Sequence, residues 1–402
     1  SAIEGRREPA LDAETAHDLY LRAQKNARYG VEGMIASISQ LESFALCPFA
    51  HFVGYGLRPR ELKEPRMDAR ERGTLEHRAI EDFAGRLYAR QDEVGDEEAE
   101  RLMREVLEPL FEEESAHRRE GGLSRANHQE IRRAMGRMSR LMALQKRLSR
   151  FRVSAEELAF TPADTAPLSL PSGERVYLEG KIDRVDVLNL HSDLYARVID
   201  YKTGNTALGL DDVYFGLRLQ LFLYLDAVLA LRGAKPAGVF YQKLSEAPMR
   251  LAGGRIDEKL AARQRKKLRL TGFILEDPDV IEQMCVDPEI MDQVLPVEPR
   301  TKGGRALPGE FTERSRSRML SEEAFGLLRR HTRRKLAELA GDALAGKAAV
   351  SPALTQDLDA CKYCRFRSIC GFDESLPGCE RRNLQMDSEE VLQRMRKEDE
   401  NA

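Results

Sequence analysis

The sequence has no tryptophan, and aromatic residues of every kind make up only 6% of it. With charged residues at 33%, this composition favours a helix-rich protein in water. Long apolar runs are missing too. None approaches the roughly 18 residues that a membrane-spanning helix needs, and no secretory apolar segment stands at the start. No strong charge of either sign is present. A net charge of −3 over 402 residues gives no global basic field, so nucleic-acid binding would have to rest on local patches. Cysteine is nearly absent until the C-terminal end, where Cys361, Cys364, Cys370 and Cys379 follow the isolated Cys47 and Cys285. Without a signal peptide, a disulfide framework is disfavoured and a metal or cluster site is the better expectation. The chain opens at Ser1 rather than methionine, which suggests a piece of something longer. Its length suits one large domain or two to three average ones.

The densest signal is in residues 180–202, which read GKIDRVD, a short gap, then VIDYK. Side chains alternate faces along a strand, so Asp200 and Lys202 share one face, and Lys181 and Asp183 share a face of the preceding strand. The connection LNLHSD is short and polar, which predicts an antiparallel hairpin that brings Asp183 beside Asp200. Two neighbouring carboxylates repel unless a cation or proton sits between them. Oxygen donors suit Mg²⁺ or Mn²⁺, which polarise phosphate and activate water. Lys202 would orient that water or stabilise developing negative charge. A hairpin with solvated charges fits the same residues, and spacing alone leaves Asp183 and Asp186, on opposite faces, as rival ligands.

Elsewhere the pattern is mostly helical. A capped helix is predicted from Ser37, with Ser37 or Ser39 as its N-cap, broken at Cys47-Pro48; another covers residues 68–88, with Leu75, Ala79, Phe83 and Leu87 on its apolar stripe and His77 one turn before Glu81. Residues 92–150 read as charged helix. There Arg132, Arg133, Arg137, Arg140, Lys146, Arg147 and Arg150 form either a solvated face or a phosphate track. A strand from Glu156, the hairpin, one helix over residues 211–231 and a strand at residues 238–242 predict an α/β core, a mixed sheet with a crossover helix. Gln220 and Tyr224 lie on one face of that helix. Residues 259–270 are basic, and residues 301–318 (TKGGRALPGEFTERSRSR) read as a mobile or DNA-facing loop. The stretch GDALAGKA falls short of a phosphate-binding loop, because Ala348 stands where Ser or Thr is needed and a helix precedes it.

Cys361, Cys364 and Cys370 form C-x₂-C-x₅-C, close enough for one thiolate site. Spacing leaves zinc and an iron–sulfur cluster both open, with Cys379 or the remote Cys47 as fourth ligand.

Together, ISQLESFALCPFAHFVGYGL, GTLEHRAIEDF, LEGKIDRVDV, VIDYKTG, YFGLRLQLFLYLDAV and ACKYCRFRSICGFD resemble, in order, the C-terminal nuclease domain of the AddB family of helicase–nuclease proteins. That domain belongs to the RecB-like group of PD-(D/E)XK nucleases. The resemblance implies a restriction-endonuclease-like mixed sheet flanked by helices, with large helical insertions. It implies the nuclease domain over residues 35–385, after a linker or edge helix over 1–34 and before a charged terminal helix or tail over 386–402. It implies that Asp183, Asp200, the Tyr201 carbonyl and His77 hold Mg²⁺ (or Mn²⁺), with Lys202 catalytic and Gln220 and Tyr224 lining the site. Glu157 lies where the family has an upstream acidic residue. Cys47, Cys361, Cys364 and Cys370 would hold a [4Fe–4S] cluster of structural role that staples the N- and C-terminal parts. The implied activity is exonucleolytic cleavage of single-stranded DNA, the 5′-terminated strand, leaving an A-type helicase–nuclease partner during double-strand-break repair by homologous recombination. The implied setting is cytoplasmic and nucleoid-associated, away from membranes. The family's helicase-like N-terminal part has no counterpart here, so this chain should neither bind ATP through a P-loop nor unwind DNA.

Two other readings compete. One is a non-catalytic DNA-binding or scaffolding module built on the basic runs. The other is a free-standing CRISPR-associated exonuclease of the same superfamily, disfavoured because such chains are shorter.

Overall fold

The computed structural model of the chain describes residues 10–21, 23–59, 69–117, 125–204, 207–244 and 258–401. Its centre is an eight-stranded mixed sheet. The strands are β1 (Met34–Ser37), β2 (Arg152–Phe160), β3 (Leu168–Ser169), β4 (Arg175–Leu190), β5 (Asp193–Lys202), β6 (Lys235–Lys243), β7 (Leu270–Leu275) and β8 (Met319–Leu320). The path runs β1-β4-β5-β6-β7-β8, with β2 and β3 also paired to β4. The long β4 organises it. Its first residues lie parallel to β1 and antiparallel to β3, and its middle and end lie antiparallel to β2 and β5. The β4–β5 hairpin turns at His191-Ser192. β5 and β6 are parallel, so a helix must cross between them, as the order of patterns predicts.

The main helices are α1 (Ala13–Tyr20), α2 (Ile38–Leu46), α3 (Ala69–Ala89), α4 (Asp96–His117), α5 (Arg125–Leu148), α6 (Gln220–Arg232), α7 (Glu258–Leu268), α8 (Glu322–Leu344) and α9 (Ser388–Glu400). Helix α2 starts where expected, because Ser37 Oγ accepts the Gln40 N–H. It ends at Cys47, where the backbone turns extended before Pro48 opens a short helical turn. The predicted stripe of α3 is buried as a unit: Leu75, Ala79, Phe83 and Leu87 are all within 2% of full burial. Helix α6 makes the crossover. It is buried on nearly every side, so its apolar residues encircle it rather than forming one stripe.

Two expectations need correction. The single helix over residues 211–231 is two, Leu210–Tyr214 and α6, because Gly216 takes a left-handed backbone (φ +83°) and the chain re-enters helix only at Gln220. Residues 301–318 are not a mobile loop. They belong to a β-hairpin (Pro299–Lys302 with Arg305–Phe311) and a helical turn at Glu313–Arg316. Of linker and edge helix, the leading segment is the helix where it is described: Ala16 and Tyr20 of α1 are buried, and Leu11 N–H donates to the Gly346 carbonyl. Residues 1–9 and Arg22 lie outside the described residues, as do Asp68 and Asn205. The terminal helix α9 is docked, with Val391 and Met395 fully buried. No helix among the described residues is long and apolar enough to cross a membrane.

The expected phosphate track on α5 is largely spent on internal pairing. Arg132 pairs with Glu108, Arg140 with Glu100 and Arg147 with Asp96, all on α4. Lys146 donates to the Leu87, Arg90 and Asp92 carbonyls. The basic face of α7 behaves similarly, with Arg265 on Glu258 and Lys266 on Asp292.

Candidate active site

The hairpin delivers Asp183 and Asp200 to one place. Arg184 pairs with Ile199 in the ladder, so Asp183 and Asp200 occupy the next positions of β4 and β5. Asp183 Oδ2 accepts the Tyr201 N–H at 2.7 Å. From α3, His77 Nε2 lies 2.7 Å from the Tyr201 carbonyl oxygen. Thus Asp183, Asp200, His77 and the Tyr201 carbonyl stand together at this end of the hairpin. Burial first, and the Asp200 charge second, push the Asp183 carboxyl up to about 6. Two carboxylates enclosed together want a cation.

Lys202 Nζ lies 2.6 Å from Asp200 Oδ2 and donates to Gln220 Oε1 at 3.0 Å. Asp200 Oδ2 is buried, with that ammonium as its ion-pair partner. Gln220 in turn donates to Tyr224 Oη at 2.9 Å, one turn along α6. The lysine, glutamine and tyrosine form one chain of contacts on the catalytic face.

Among the described residues no three His, Cys, Asp or Glu side chains make a ready-made metal site. Asp183, Asp200 and His77 surround the Tyr201 carbonyl short of such a site. Hard oxygens and one borderline nitrogen are the donor chemistry of a Mg²⁺- or Mn²⁺-type ion, with Asp200 Oδ2 buried against the Lys202 ammonium.

Gly180 explains how α6 reaches the strand. A Cβ there would stand 2.6 Å from the Phe160 ring and 3.1 Å from Tyr224. Phe160 and Tyr224 meet edge to face at 5.6 Å directly over that glycine. Any side chain at position 180 would push Tyr224, and with it Gln220, off the site.

The rivalry between Asp183 and Asp186 is settled by the sheet's two faces. Asp186 lies on the opposite face, fully buried, accepting Arg184 Nε and Nη2 at 2.6 and 2.8 Å and Arg197 Nε at 2.8 Å. Arg184 also donates to Tyr88 Oη at 2.6 Å. This buried Arg-Asp-Arg group sits on the face of the sheet opposite Asp183 and Asp200. Glu157 lies in register with Asp183, between the Glu156–Arg184 and Leu158–Ile182 pairs. Its backbone is left-handed (φ +52°), which is strained for a strand residue. Its carboxylate pairs with Lys181.

Sequence reasoning missed Glu42. From α2 its Oε1 accepts the Leu219 and Gln220 N–H groups at 2.6 and 2.9 Å. No spacing rule links residues so far apart. The only local signal is that α6 lacks a capping side chain of its own at Leu219.

Cys47, at the end of α2, and Cys361 are buried. Burial raises both thiols, and neighbouring thiols add to it: Cys364 raises Cys47, and Cys47 and Cys364 raise Cys361. Cys370 sits a turn further on, its Sγ 3.5 Å from the Arg367 carbonyl. The distant segments are also tied by backbone and side chain. Phe49 N–H donates to the Ala349 carbonyl, and Arg382 donates to the Ala45 and Leu46 carbonyls.

The profile of the PD-(D/E)XK nuclease superfamily matches residues 35–371. The chain belongs to the PD-(D/E)XK nuclease superfamily. It is similar to the B-type subunit of the ATP-dependent helicase/deoxyribonuclease of Alkaliphilus oremlandii, 33% identical over 405 residues, covering 95% of this chain and 34% of that protein. The protein of the same name in Desulforudis audaxviator is 34% identical over 392 residues, covering 94% and 32%. The chain therefore spans about a third of the length of the curated relatives it matches. As a PD-(D/E)XK member with this mixed sheet, it has the restriction-endonuclease-like core expected of the superfamily.

Proposed function

We propose that this chain is the nuclease segment of a B-type helicase–nuclease protein, hydrolysing phosphodiester bonds in single-stranded DNA. The observation that carries it is the convergence of Asp183, Asp200, His77 and the Tyr201 carbonyl beside Lys202. Superfamily membership and the names of the relatives support the reading. Asp183, Asp200, the Tyr201 carbonyl and His77 would hold Mg²⁺ or Mn²⁺. Such an ion, when bound, supplies polarisation of the scissile phosphate and a more acidic water. The chain's own residues do the remaining work. Lys202 brings a positive charge to the face where charge develops on phosphate oxygens. Gln220 holds that ammonium in place, and Tyr224 fixes Gln220. Burial of the carboxylates excludes competing water from the donor oxygens.

In this reading the substrate is the 5′-terminated strand leaving an A-type helicase–nuclease partner, trimmed exonucleolytically during double-strand-break repair in the cytoplasm at the nucleoid. Cys47, Cys361, Cys364 and Cys370 would hold a [4Fe–4S] cluster, which when bound would constrain a very long loop and close the domain. The pairing of α5 arginines with α4 acids weakens a scaffolding role based on that face.

Asp200→Ala should abolish Mg²⁺-dependent cleavage of single-stranded DNA while circular dichroism and thermal unfolding stay near wild type. Undiminished cleavage by a well-folded variant would overturn the assignment. For the cluster, anaerobically purified protein should be brown, Cys47→Ser colourless and Cys379→Ser brown. A colourless zinc protein, or the opposite mutant pattern, would refute that ligand set.

A further inference from the structure

Helix α6 carries Gln220 at its first position, yet its own N-cap residue, Leu219, provides no side-chain cap. The first N–H groups of any helix have no partner within the helix and need one from outside. Here they find it on α2, where Glu42 Oε1 accepts Leu219 N–H at 2.6 Å and Gln220 N–H at 2.9 Å. The helix dipole favours an anion there as well. The side chain of the second capped residue then meets Lys202 at 3.0 Å. A continuous chain runs from Glu42 through the Gln220 backbone and side chain to Lys202 and Asp200.

We infer that Glu42 is a positioning residue for the nuclease reaction: it fixes the start of α6 so that Gln220 holds Lys202 over the reacting phosphate. This rests on the nuclease reading above. The Glu42 carboxylate bonds backbone N–H groups of Leu219 and Gln220, so it acts through Gln220. The charged and titratable groups facing it are Lys202 on β5, Arg218 before α6, Tyr224 on α6 and Tyr241 on β6. Burial, the largest influence, raises its carboxyl to about 7, against the two N–H donors and the two cations. The capping oxygen is what matters for geometry. A glutamine keeps an acceptor at the same reach, an aspartate falls one methylene short, and an alanine has none.

The test uses Glu42→Ala, Glu42→Asp and Glu42→Gln in this chain, with two readouts. Hydrogen–deuterium exchange resolved to the start of α6 should show the Leu219 and Gln220 amides exchanging about tenfold faster in the Ala and Asp variants, and near wild type in Gln, as loss of an N-cap predicts. With Mg²⁺ and single-stranded DNA, kcat should fall about tenfold in Ala and Asp, KM should change less than about twofold, and Gln should recover to within about threefold of wild type. Unchanged exchange in both Ala and Asp removes the cap and the proposal with it. Faster exchange with unchanged kcat shows a staple without a catalytic consequence and overturns it too, as does a Gln variant as slow as Ala. Should Ala fail to fold, Asp carries the same comparison. If wild-type protein cleaves nothing, the nuclease reading fails and the positioning role falls with it. The exchange arm still reports whether Glu42 caps α6, so the two failures are distinguishable.

Discussion

Replacing Asp186 by asparagine is the sharpest test of how the sheet supports its site. The perturbation changes almost no volume. It removes the one negative charge between two guanidiniums, Arg184 and Arg197, that are 4% and 2% exposed. Three charge-assisted hydrogen bonds at 2.6–2.8 Å converge on this carboxylate. The Tyr88 ring 4.3 Å from Arg184 and the Phe151 ring 4.7 Å from Arg197 offset part of the remaining positive charge. Breaking a buried pair from one side leaves uncompensated charge in the core and costs about 3–5 kcal/mol. That is a large share of the roughly 5–15 kcal/mol that holds an ordinary domain together. Urea unfolding followed by circular dichroism at pH 7 should show a stability loss of that size. Burial raises the Asp186 carboxyl, but the two arginines outweigh it and the net shift is downward. Its contribution is therefore present in full above the ordinary carboxylate value, near 4, and is lost only as pH falls below it. The gap between wild type and Asp186→Asn should be constant from about pH 8 to 5 and narrow below about pH 4. A cost under about 1 kcal/mol at pH 7 would refute the reasoning, because the two arginines would then need no counterion. Replacing all three residues by apolar ones should recover much of the loss, since the desolvation cost of the charges disappears with them.

Two further outcomes follow from buried and exposed charge elsewhere. His51 is fully buried among the Tyr20, Phe44 and Tyr55 rings, with neither ring nitrogen hydrogen-bonded, and burial lowers its pKa to about 4. The unfolded chain takes up a proton near pH 6.5 and the folded chain does not, so stability drops between pH 6.5 and 4, by about 2 kcal/mol at pH 5. His51→Phe should flatten that slope in melts at pH 7 and 5; an unchanged slope would assign it to other groups. On α9, Asp399 pairs with Arg330 and Arg334 at a solvent-exposed edge and is lowered to about 2 by those arginines. Exposed pairs contribute about 1 kcal/mol or less, whereas burying Val391 and Met395 contributes about 1.5–3 kcal/mol each. Asp399→Ala should shift the melting temperature only slightly, and truncation before Ser388 much further. Equal effects would mean that charge, not packing, holds α9.

Local patterns were the legible part. The hairpin needs only period-two alternation and a short polar turn, so Asp183 beside Asp200 could be read before any coordinates. Capping at Ser37 and the apolar stripe of α3 are equally local. Other features were present but misread. Gly303-Gly304 between two extended runs marks the turn of the hairpin taken for a loop, and Gly216 marks the break in the helix that carries Gln220.

By itself the sequence determined the strand pair that carries Asp183 and Asp200, the face that Lys202 shares with Asp200, and the close spacing of three cysteines at the C-terminal end. Each follows from dihedral periodicity or from spacings of a few residues. Only the tertiary structure decided which arginines are free and which are consumed, because α4 supplies partners that α5 cannot announce. Only it sent Asp186 to the back of the sheet with Arg184 and Arg197 around it. Only it placed the Glu42 carboxylate on the first turn of α6, 178 residues away, and brought Cys47 to Cys361. Those relations join surfaces far apart in the chain. They are set by which buried polar group finds a partner when the elements pack, and no local pattern encodes that.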